Sequence, residues 1–255
     1  MLRMVQVGSH YIQHGWIKGQ GDMFNSLNPA TGEIVWEGNK ATTKEVTFAI
    51  KSAREALENK SWKSLTFEDR CNLTRKFQEK LEKNKDKFAE IISKETGKPL
   101  WETVQEVGAM INKIPISIEA FNDRCQTMIQ ELPGKQIKTQ FKPHGVLGVL
   151  GPFNFPGHLP NGHIIPALLA GNTIVFKPSD QTPLVGQEYM RLWEDIGLPD
   201  GVLNCVQGDG QVGQLMSTHP DINGLLFTGS ASVGKQLSSL YAKSPQKMLA
   251  LEMGG

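Results

Sequence analysis

The stretch GVLGVLGPFNFPG, residues 145–157, joins an apolar run too short for a typical helix to a turn of glycine and proline. This pattern is typical of a buried strand and the loop after it. Four similar runs follow: NTIVF, GVLNCV, GLLF and KMLALE. Helix-compatible segments lie between the runs, at about residues 159–169, 183–196, 210–218 and 231–242. Because strands that are apolar on both faces and alternate with helices form parallel sheets covered on both sides, the sequence predicts a doubly wound α/β fold.

The chain before residue 144 shows a different pattern. Residues 1–40 contain short strand-like runs separated by turn residues such as NP and TG. Helical periodicity follows, and two of the helices are predicted to begin at capping boxes. The two boxes and the later helical segments are Thr42 with Glu45, Thr66 with Asp69, residues 84–95 and residues 100–122.

The segment IQELPGKQIKTQF, residues 129–141, predicts a β-hairpin that turns at Pro133 and Gly134. The hairpin is polar on one side, so we expect it to protrude from the core and to pair with the edge of a partner. These patterns divide the chain into an N-terminal part, residues 1–128, the hairpin, residues 129–143, and the α/β core, residues 144–255.

Composition and charge argue against several classes of function. The 255 residues carry a formal net charge of +1 with basic and acidic residues intermixed, so neither a nucleic acid nor an anionic membrane is expected as a partner. The cysteines, Cys71, Cys125 and Cys205, are too widely spaced for a zinc site or a disulfide framework, and they are unpromising nucleophiles. No signal-peptide core is visible, and the most apolar stretch, HIIPALLAGNTIVF, is too short to cross a bilayer. We expect a cytoplasmic protein.

The residues that follow the five apolar runs carry the candidate chemistry. They are GPFNFPG, KPSD, QGDGQVG, TGSASVG and a final GG. Ligands of open α/β sheets bind at the carboxyl ends of the strands, and glycine, serine, lysine and aspartate suit phosphate and ribose groups there. Together these segments predict a dinucleotide ligand.

Two of the segments are alternative phosphate sites. GDGQVG, residues 208–213, is a literal GxGxxG between a strand and a helix, although a tight turn with close helix–strand packing would also account for it. TGSASVG, residues 228–234, also joins a strand to a helix. There the backbone N–H groups and the Ser230 hydroxyl would face an anion at the positive end of the helix.

Individual polar side chains suggest further roles. Asn154 lies among aromatic residues and prolines, where a fixed amide can donate to a developing oxyanion, or alternatively can cap the next helix. Lys177 and Asp180 suit ribose hydroxyls, or alternatively belong to a surface loop. His158 and His163 are spaced five residues apart, so they do not share a helix face as a pair of metal ligands would.

The strand-end segments resemble the motifs of the aldehyde dehydrogenase superfamily. The matching stretches are GPFNFP, PALLAGNTIVFKPSD, GLPDGVLNCVQG, FTGSASVG and LEMGG, and NPATGE and ETGKP fit as well. They occur in the order and spacing of that superfamily, so the resemblance covers nearly the whole chain. Within the superfamily, GPFNFPGHLPNGHIIPALLAGN is most similar to enzymes that oxidise an amino-acid-derived semialdehyde.

The resemblance assigns roles to particular residues. It places the oxyanion asparagine on Asn154, the general base on Glu252, and the ribose-binding pair on Lys177 and Asp180. The family more often has glutamate at the last position, but either carboxylate favours NAD because it repels the 2′-phosphate of NADP. The cofactor-contacting residues that the resemblance implies are Gly151, Pro152, Phe153, Lys177, Ser179, Asp180, Gly210, Gly213, Phe227, Thr228, Gly229, Ser230, Ala231, Ser232, Val233, Gly234, Met253 and Gly254.

The resemblance also implies a reaction. A cysteine thiolate attacks the aldehyde, Asn154 helps to hold the oxyanion, and Glu252 activates the water that hydrolyses the thioester. In the family that cysteine lies beyond LEMGG, so we expect this chain to be the NAD-binding half of a homo-oligomeric enzyme, without its catalytic domain and inactive alone. Two alternatives stay open: a dehydrogenase of another semialdehyde, and a stand-alone nucleotide-binding module.

Overall fold

A computed structural model describes residues 10–254 and confirms the α/β fold. The strands are β1 (His10–Ile12), β2 (Gly15–Ile17), β3 (Met23–Leu27), β4 (Ile34–Asn39), β5 (Met128–Leu132), β6 (Lys135–Thr139), β7 (Val146–Leu150), β8 (Thr173–Lys177), β9 (Leu203–Cys205), β10 (Gly224–Gly229) and β11 (Met248–Met253). The helices are α1 (Thr43–Glu58), α2 (Lys60–Lys63), α3 (Phe67–Lys83), α4 (Lys85–Thr96), α5 (Leu100–Arg124), α6 (His158–Leu169), α7 (Pro183–Trp193), α8 (Gly210–Thr218) and α9 (Ala231–Tyr241).

The main sheet has seven strands in the order β11-β10-β7-β8-β9-β1-β2. The five strands predicted from the apolar runs are parallel, as expected. Two short strands extend the sheet in the antiparallel sense, because β1 pairs with β9 through Tyr11 and Cys205 and β2 pairs with β1. The sheet is therefore mixed, which the sequence pattern did not predict.

Alternate residues of the parallel strands face two separate hydrophobic clusters. Leu147, Ile174 and Leu226 pack with residues of α3 to α7 on one face. Val175 and Leu225 pack with residues of α1, α8 and α9 on the other. This period of two explains why the strands read as continuous apolar runs, since both faces of the sheet are covered by helices.

The predicted capping boxes are present. The Glu45 carboxylate accepts the Thr42 N–H at 2.7 Å at the start of α1. At the start of α3, Asp69 accepts the Thr66 N–H at 2.8 Å while the Thr66 hydroxyl oxygen accepts the Asp69 N–H at 3.1 Å. Each box satisfies backbone donors that the helix itself cannot, and so fixes where the helix begins.

Strands β5 and β6 form the predicted hairpin as a sheet of their own. Ile129 and Ile137 on the two strands are 57% and 44% exposed. Within residues 10–254 neither strand pairs with the main sheet, so the protrusion is confirmed and the pairing with a partner stays a prediction. No helix in the same range is long and apolar enough to cross a membrane.

The strand order places a topological switch point between β7 and β10. The chain proceeds from β7 outward through β8 to β9, then returns to place β10 on the opposite side of β7 and β11 beyond it. Ligands of such sheets bind in the crevice at the carboxyl ends of the strands where the order reverses. The loop after β7 and the N-terminus of α9 both begin at this point.

Candidate functional site

The N-terminus of α9 is a candidate anion site. Its cap is the Ser230 hydroxyl, whose oxygen accepts the Val233 N–H at 3.3 Å. Ser230, Ala231 and Ser232 are exposed. The first turn of α9 contains no acidic residue and its cap is an uncharged serine, so no carboxylate of the first turn offsets the positive end of the helix. The arrangement suits a phosphate group.

The N-terminus of α8, which begins within the GDGQVG segment, is occupied by a carboxylate of the chain itself. Asp209 accepts the Gln211 N–H at 2.9 Å and pairs with the Lys40 ammonium at 2.7 Å. Gly208 has a φ of +151°, and a Cβ at that position would lie 2.4 Å from a Val212 methyl group. The GxGxxG segment is therefore a tight turn with close packing, and its negative cap disfavours a phosphate there.

Lys177 is a buried cation at the carboxyl end of β8, only 7% exposed. Its ammonium donates to the carbonyl oxygens of Pro178 at 2.8 Å and Gly208 at 2.7 Å, which leaves one of its three N–H donors for a ligand. Burial lowers the pKa of Lys177 to about 8, and the nearby carboxylate of Asp180 opposes that shift. The surface-loop interpretation is wrong for Lys177, although Asp180 itself is exposed.

We expect the Lys177→Met variant to reveal the cost of this buried charge as a function of pH. The pKa of Lys177 is about 8 in the folded protein against an ordinary value of 10.5, so between these values the unfolded chain binds more protons and stability rises with pH. The free energy of unfolding of wild type should therefore rise by about 3 kcal/mol relative to that of Lys177→Met across that window. Urea denaturation of wild type and Lys177→Met at pH 8 and 10.5 measures it. Lys51→Met, at an exposed lysine, is the control, and an equal pH response in wild type and Lys177→Met would contradict the expectation.

The loop after β7 presents Asn154 at the switch point. The Gly151 N–H donates to the Lys177 carbonyl at 2.9 Å, which ties the start of the loop to β8. The Asn154 side-chain oxygen accepts the Phe155 N–H at 3.0 Å, so the amide NH₂ donors are directed away from that contact. Asn154 does not cap α6, and that alternative is wrong. The flanking Phe153 and Phe155 are 54% and 37% exposed.

The donors at the start of α6 are satisfied by a residue that sequence reasoning missed. Glu106 of α5 accepts the N–H groups of Gly157 at 3.0 Å and His158 at 3.1 Å. Its other oxygen pairs with Lys98 at 3.1 Å. In the sequence Glu106 reads as one more polar residue of a long helix, and no local pattern marks it as buried.

A second missed residue lies beside Glu252. The His163 Nε2 atom of α6 is 3.0 Å from the Thr228 hydroxyl, within hydrogen-bonding distance. Thr228 is paired in register with Glu252 across β10 and β11. Burial lowers the pKa of His163, and the Glu252 carboxylate partly opposes that shift. The sequence does not reveal this position of His163, because its proximity to β10 depends on how α6 packs on the sheet.

Met253 lies on the opposite face of β11 from Glu252. A Cβ on Gly234 of α9 would lie 2.2 Å from the Met253 sulfur, so a larger residue at this position would require the Met253 side chain to move. Gly229 makes a similarly close approach, since a Cβ there would lie 2.5 Å from the Phe227 ring. Glu252 and Met253 therefore point to opposite faces of the sheet, and Met253 lies on the face that α9 covers.

The three cysteines do not provide a nucleophile at this site. Cys71 and Cys205 are buried, and burial raises the pKa of both thiols. Cys125 lies at the end of α5, just before the hairpin. Burial of Cys71 and Cys205 agrees with the expectation that they are unpromising nucleophiles.

A helix N-terminus with a neutral cap at the switch point of a parallel sheet, together with a buried lysine at the end of β8, is typical of α/β domains that bind dinucleotides. Residues 16–255 match the model of the aldehyde dehydrogenase family. The chain belongs to that family.

The similar proteins are dehydrogenases of several aldehydes. The chain is 51% identical over 245 residues to N-succinylglutamate 5-semialdehyde dehydrogenase of Escherichia coli, which covers 96% of this chain and 49% of the relative. Among solved structures, an apo indole-3-acetaldehyde dehydrogenase is 29% identical with a TM-score of 0.90, over 97% of this chain and 59% of that one. A Staphylococcus aureus betaine aldehyde dehydrogenase variant in complex with NAD⁺ is 28% identical with a TM-score of 0.90, over 96% and 50%. The chain therefore spans about half the length of these relatives.

Proposed function

We propose that this chain is the NAD-binding half of an enzyme that oxidises N-succinyl-L-glutamate 5-semialdehyde to N-succinyl-L-glutamate in arginine catabolism. The observation that carries the reaction class is the meeting of the open α9 N-terminus, the Asn154 loop and Glu252 at the carboxyl ends of three neighbouring strands. The substrate is supported by the 51% identity to the named relative. The cytoplasm is the proposed compartment, where free cysteines such as these are stable.

The residues present fit NAD. The α9 N-terminus with Ser230 would hold the pyrophosphate, while Lys177 and Asp180 would bind the ribose hydroxyls. A Cβ at Gly210, the first residue of α8, would meet open space, and the adenine ring would lie between this glycine and Val233. Met253 and the residue after it would lie towards the nicotinamide. When bound, NAD supplies the acceptor for the hydride that leaves the aldehyde carbon.

The chain's own residues would act before and after that transfer. A cysteine thiolate from the rest of the enzyme adds to the aldehyde carbon, and the Asn154 NH₂ donates to the oxyanion that forms. Loss of the hydride from the same carbon leaves a thioester. Glu252 then takes a proton from the water that attacks the thioester, and the thiolate leaves as the carboxylic acid forms.

The hairpin is proposed to pair with another subunit of the full-length enzyme. Its strands carry exposed apolar residues, among them Met128 at 61% and Ile129 at 57%. Such an edge is commonly covered in the native assembly.

The activity is tested with the full-length protein on a panel of semialdehydes, with NAD or NADP. We expect kcat/KM for N-succinylglutamate semialdehyde to exceed that of the unsuccinylated analogue by about tenfold or more, since a site built for a polar group rejects the analogue without it. NAD should be preferred over NADP, and Asp180→Ser should weaken that preference because it removes the charge that repels the 2′-phosphate.

Three outcomes are distinguishable. A higher kcat/KM for another semialdehyde would keep the reaction and replace the substrate. Preference for NADP would contradict the role of Asp180. A reading frame without a catalytic cysteine, together with absence of turnover, would favour the nucleotide-binding module.

A further inference from the structure

We propose that Glu106 is a positioning residue that fixes the Asn154 loop for oxyanion stabilisation, an inference that rests on the proposed function. The Glu106 side chain is fully buried, at 0% exposure. One carboxylate oxygen accepts both the Gly157 and His158 N–H groups, at 3.0 and 3.1 Å. One carboxylate oxygen of a residue on α5 therefore binds the backbone where the loop ends and α6 begins.

Lys98 connects this carboxylate to the residue next to Asn154. Its ammonium is 3.1 Å from Glu106 and 3.4 Å from Glu102, so the buried charge is compensated. The same ammonium lies 3.5 Å from the centroid of the Phe155 ring, a cation–π contact. Glu106 and Lys98 therefore hold the loop both at its end and beside its functional side chain.

The loop is fixed at both ends and Asn154 lies between them. At the start, the Gly151 N–H donates to the Lys177 carbonyl at 2.9 Å. At the end, a Cβ on Gly157 would lie 2.7 Å from the Met110 sulfur, so the backbone rests directly on α5. The orientation of Asn154 depends on the Phe155 N–H that its oxygen accepts, at 3.0 Å. Movement of residues 155–157 would therefore redirect the Asn154 donors.

The alternative is that Glu106 is only a helix cap that stabilises the fold. A cap of that kind would change stability without acting through Asn154. The two roles differ in the coupling between Glu106 and Asn154, which a double-mutant cycle on kcat measures.

The experiment uses the full-length enzyme with N-succinylglutamate semialdehyde and NAD, in wild type, Glu106→Ala, Asn154→Ala and the double variant. We expect Glu106→Ala to lower kcat by about 10²-fold, the cost of misplacing a catalytic group by about 1 Å. In the Asn154→Ala background the same change should lower kcat by less than about threefold. Glu106→Gln should retain most of the activity, because its amide oxygen still accepts both N–H groups.

Asp69→Ala is the control for loss of a capping carboxylate. Asp69 caps α3, and its neighbour Arg70 donates to the Leu169 carbonyl at the opposite end of α6 from the loop. This variant should lower the melting temperature and leave kcat unchanged. If Glu106→Ala does not fold, Lys98→Met replaces it in the cycle, with an expected loss of about tenfold.

The outcomes separate the inference from the proposed function. Wild-type enzyme that oxidises no aldehyde would overturn the proposed function. If wild type is active, either of two results would overturn the positioning role. One is that substitution at position 106 or 98 lowers kcat by the same factor with and without Asn154. The other is that it lowers the melting temperature and leaves kcat unchanged. Non-additive losses with rescue by Glu106→Gln support it.

Discussion

Replacing Glu252 by Ala in the full-length enzyme is expected to lower steady-state aldehyde oxidation by about 10³-fold, within the range of general-base catalysis. Glu252 lies at the end of β11, in register with Thr228 of β10, and its side chain is exposed to the crevice at the strand ends. Without this carboxylate, the proton of the attacking water has no acceptor at the thioester. The step that fails is therefore hydrolysis, after the hydride has already left.

Rapid-mixing kinetics measures this directly. The first turnover should still release close to one NADH per active site as a burst, and the steady rate after it should collapse. Glu252→Gln should behave in the same way, because an amide of the same shape is not a base. Glu37→Ala, at an exposed strand glutamate of β4, should leave both phases unchanged. If the NADH burst were lost while thioester hydrolysis stayed unchanged, Glu252 would have a different role.

Replacing Asn154 by Ala is expected to lower kcat by about 10²- to 10³-fold, or about 3 to 4 kcal/mol, the cost of one oxyanion donor. The Asn154 oxygen is held by the Phe155 N–H at 3.0 Å, which leaves the NH₂ donors for the substrate. The oxyanion forms when the thiolate adds to the aldehyde, so this substitution should slow the burst itself.

The matched variant is Asn154→Asp, which keeps the shape of the side chain and removes both donors. It should lose at least as much activity as Asn154→Ala, because a carboxylate also repels the oxyanion. Calorimetric titration with NAD should give similar affinities for wild type and both variants. A loss confined to NAD affinity, with a normal burst rate at saturating NAD, would contradict the oxyanion role.

Much of the secondary structure could be predicted because its causes are local. The five parallel strands coincide with the five apolar runs to within two residues, since both faces of that sheet are covered and most residues of its strands are apolar. The starts of α1 and α3 follow from Thr42 with Glu45 and from Thr66 with Asp69, pairs only three residues apart. Predicted contacts of this kind need no knowledge of the rest of the chain.

The choice between the two glycine segments depended on more distant residues. The sequence places both GDGQVG and TGSASVG between a strand and a helix. The structure shows that Asp209 caps the first helix and pairs with Lys40, which is 169 residues away in the chain. The second helix is capped by a neutral serine. Asp209 and Ser230 stand in the segments themselves, but only the structure shows that each side chain caps its helix.

The sequence by itself determined the α/β class, the order of the strands along the chain and the positions of Asn154, Lys177 and Glu252 at strand ends. Only the tertiary structure added β1 and β2 to the sheet, buried Glu106 under the Asn154 loop and placed His163 against Thr228. The physical reason is the range of the interactions. Periodicity and capping act over a few residues, whereas burial of a charge and contact between helices depend on packing between segments that are distant in the chain.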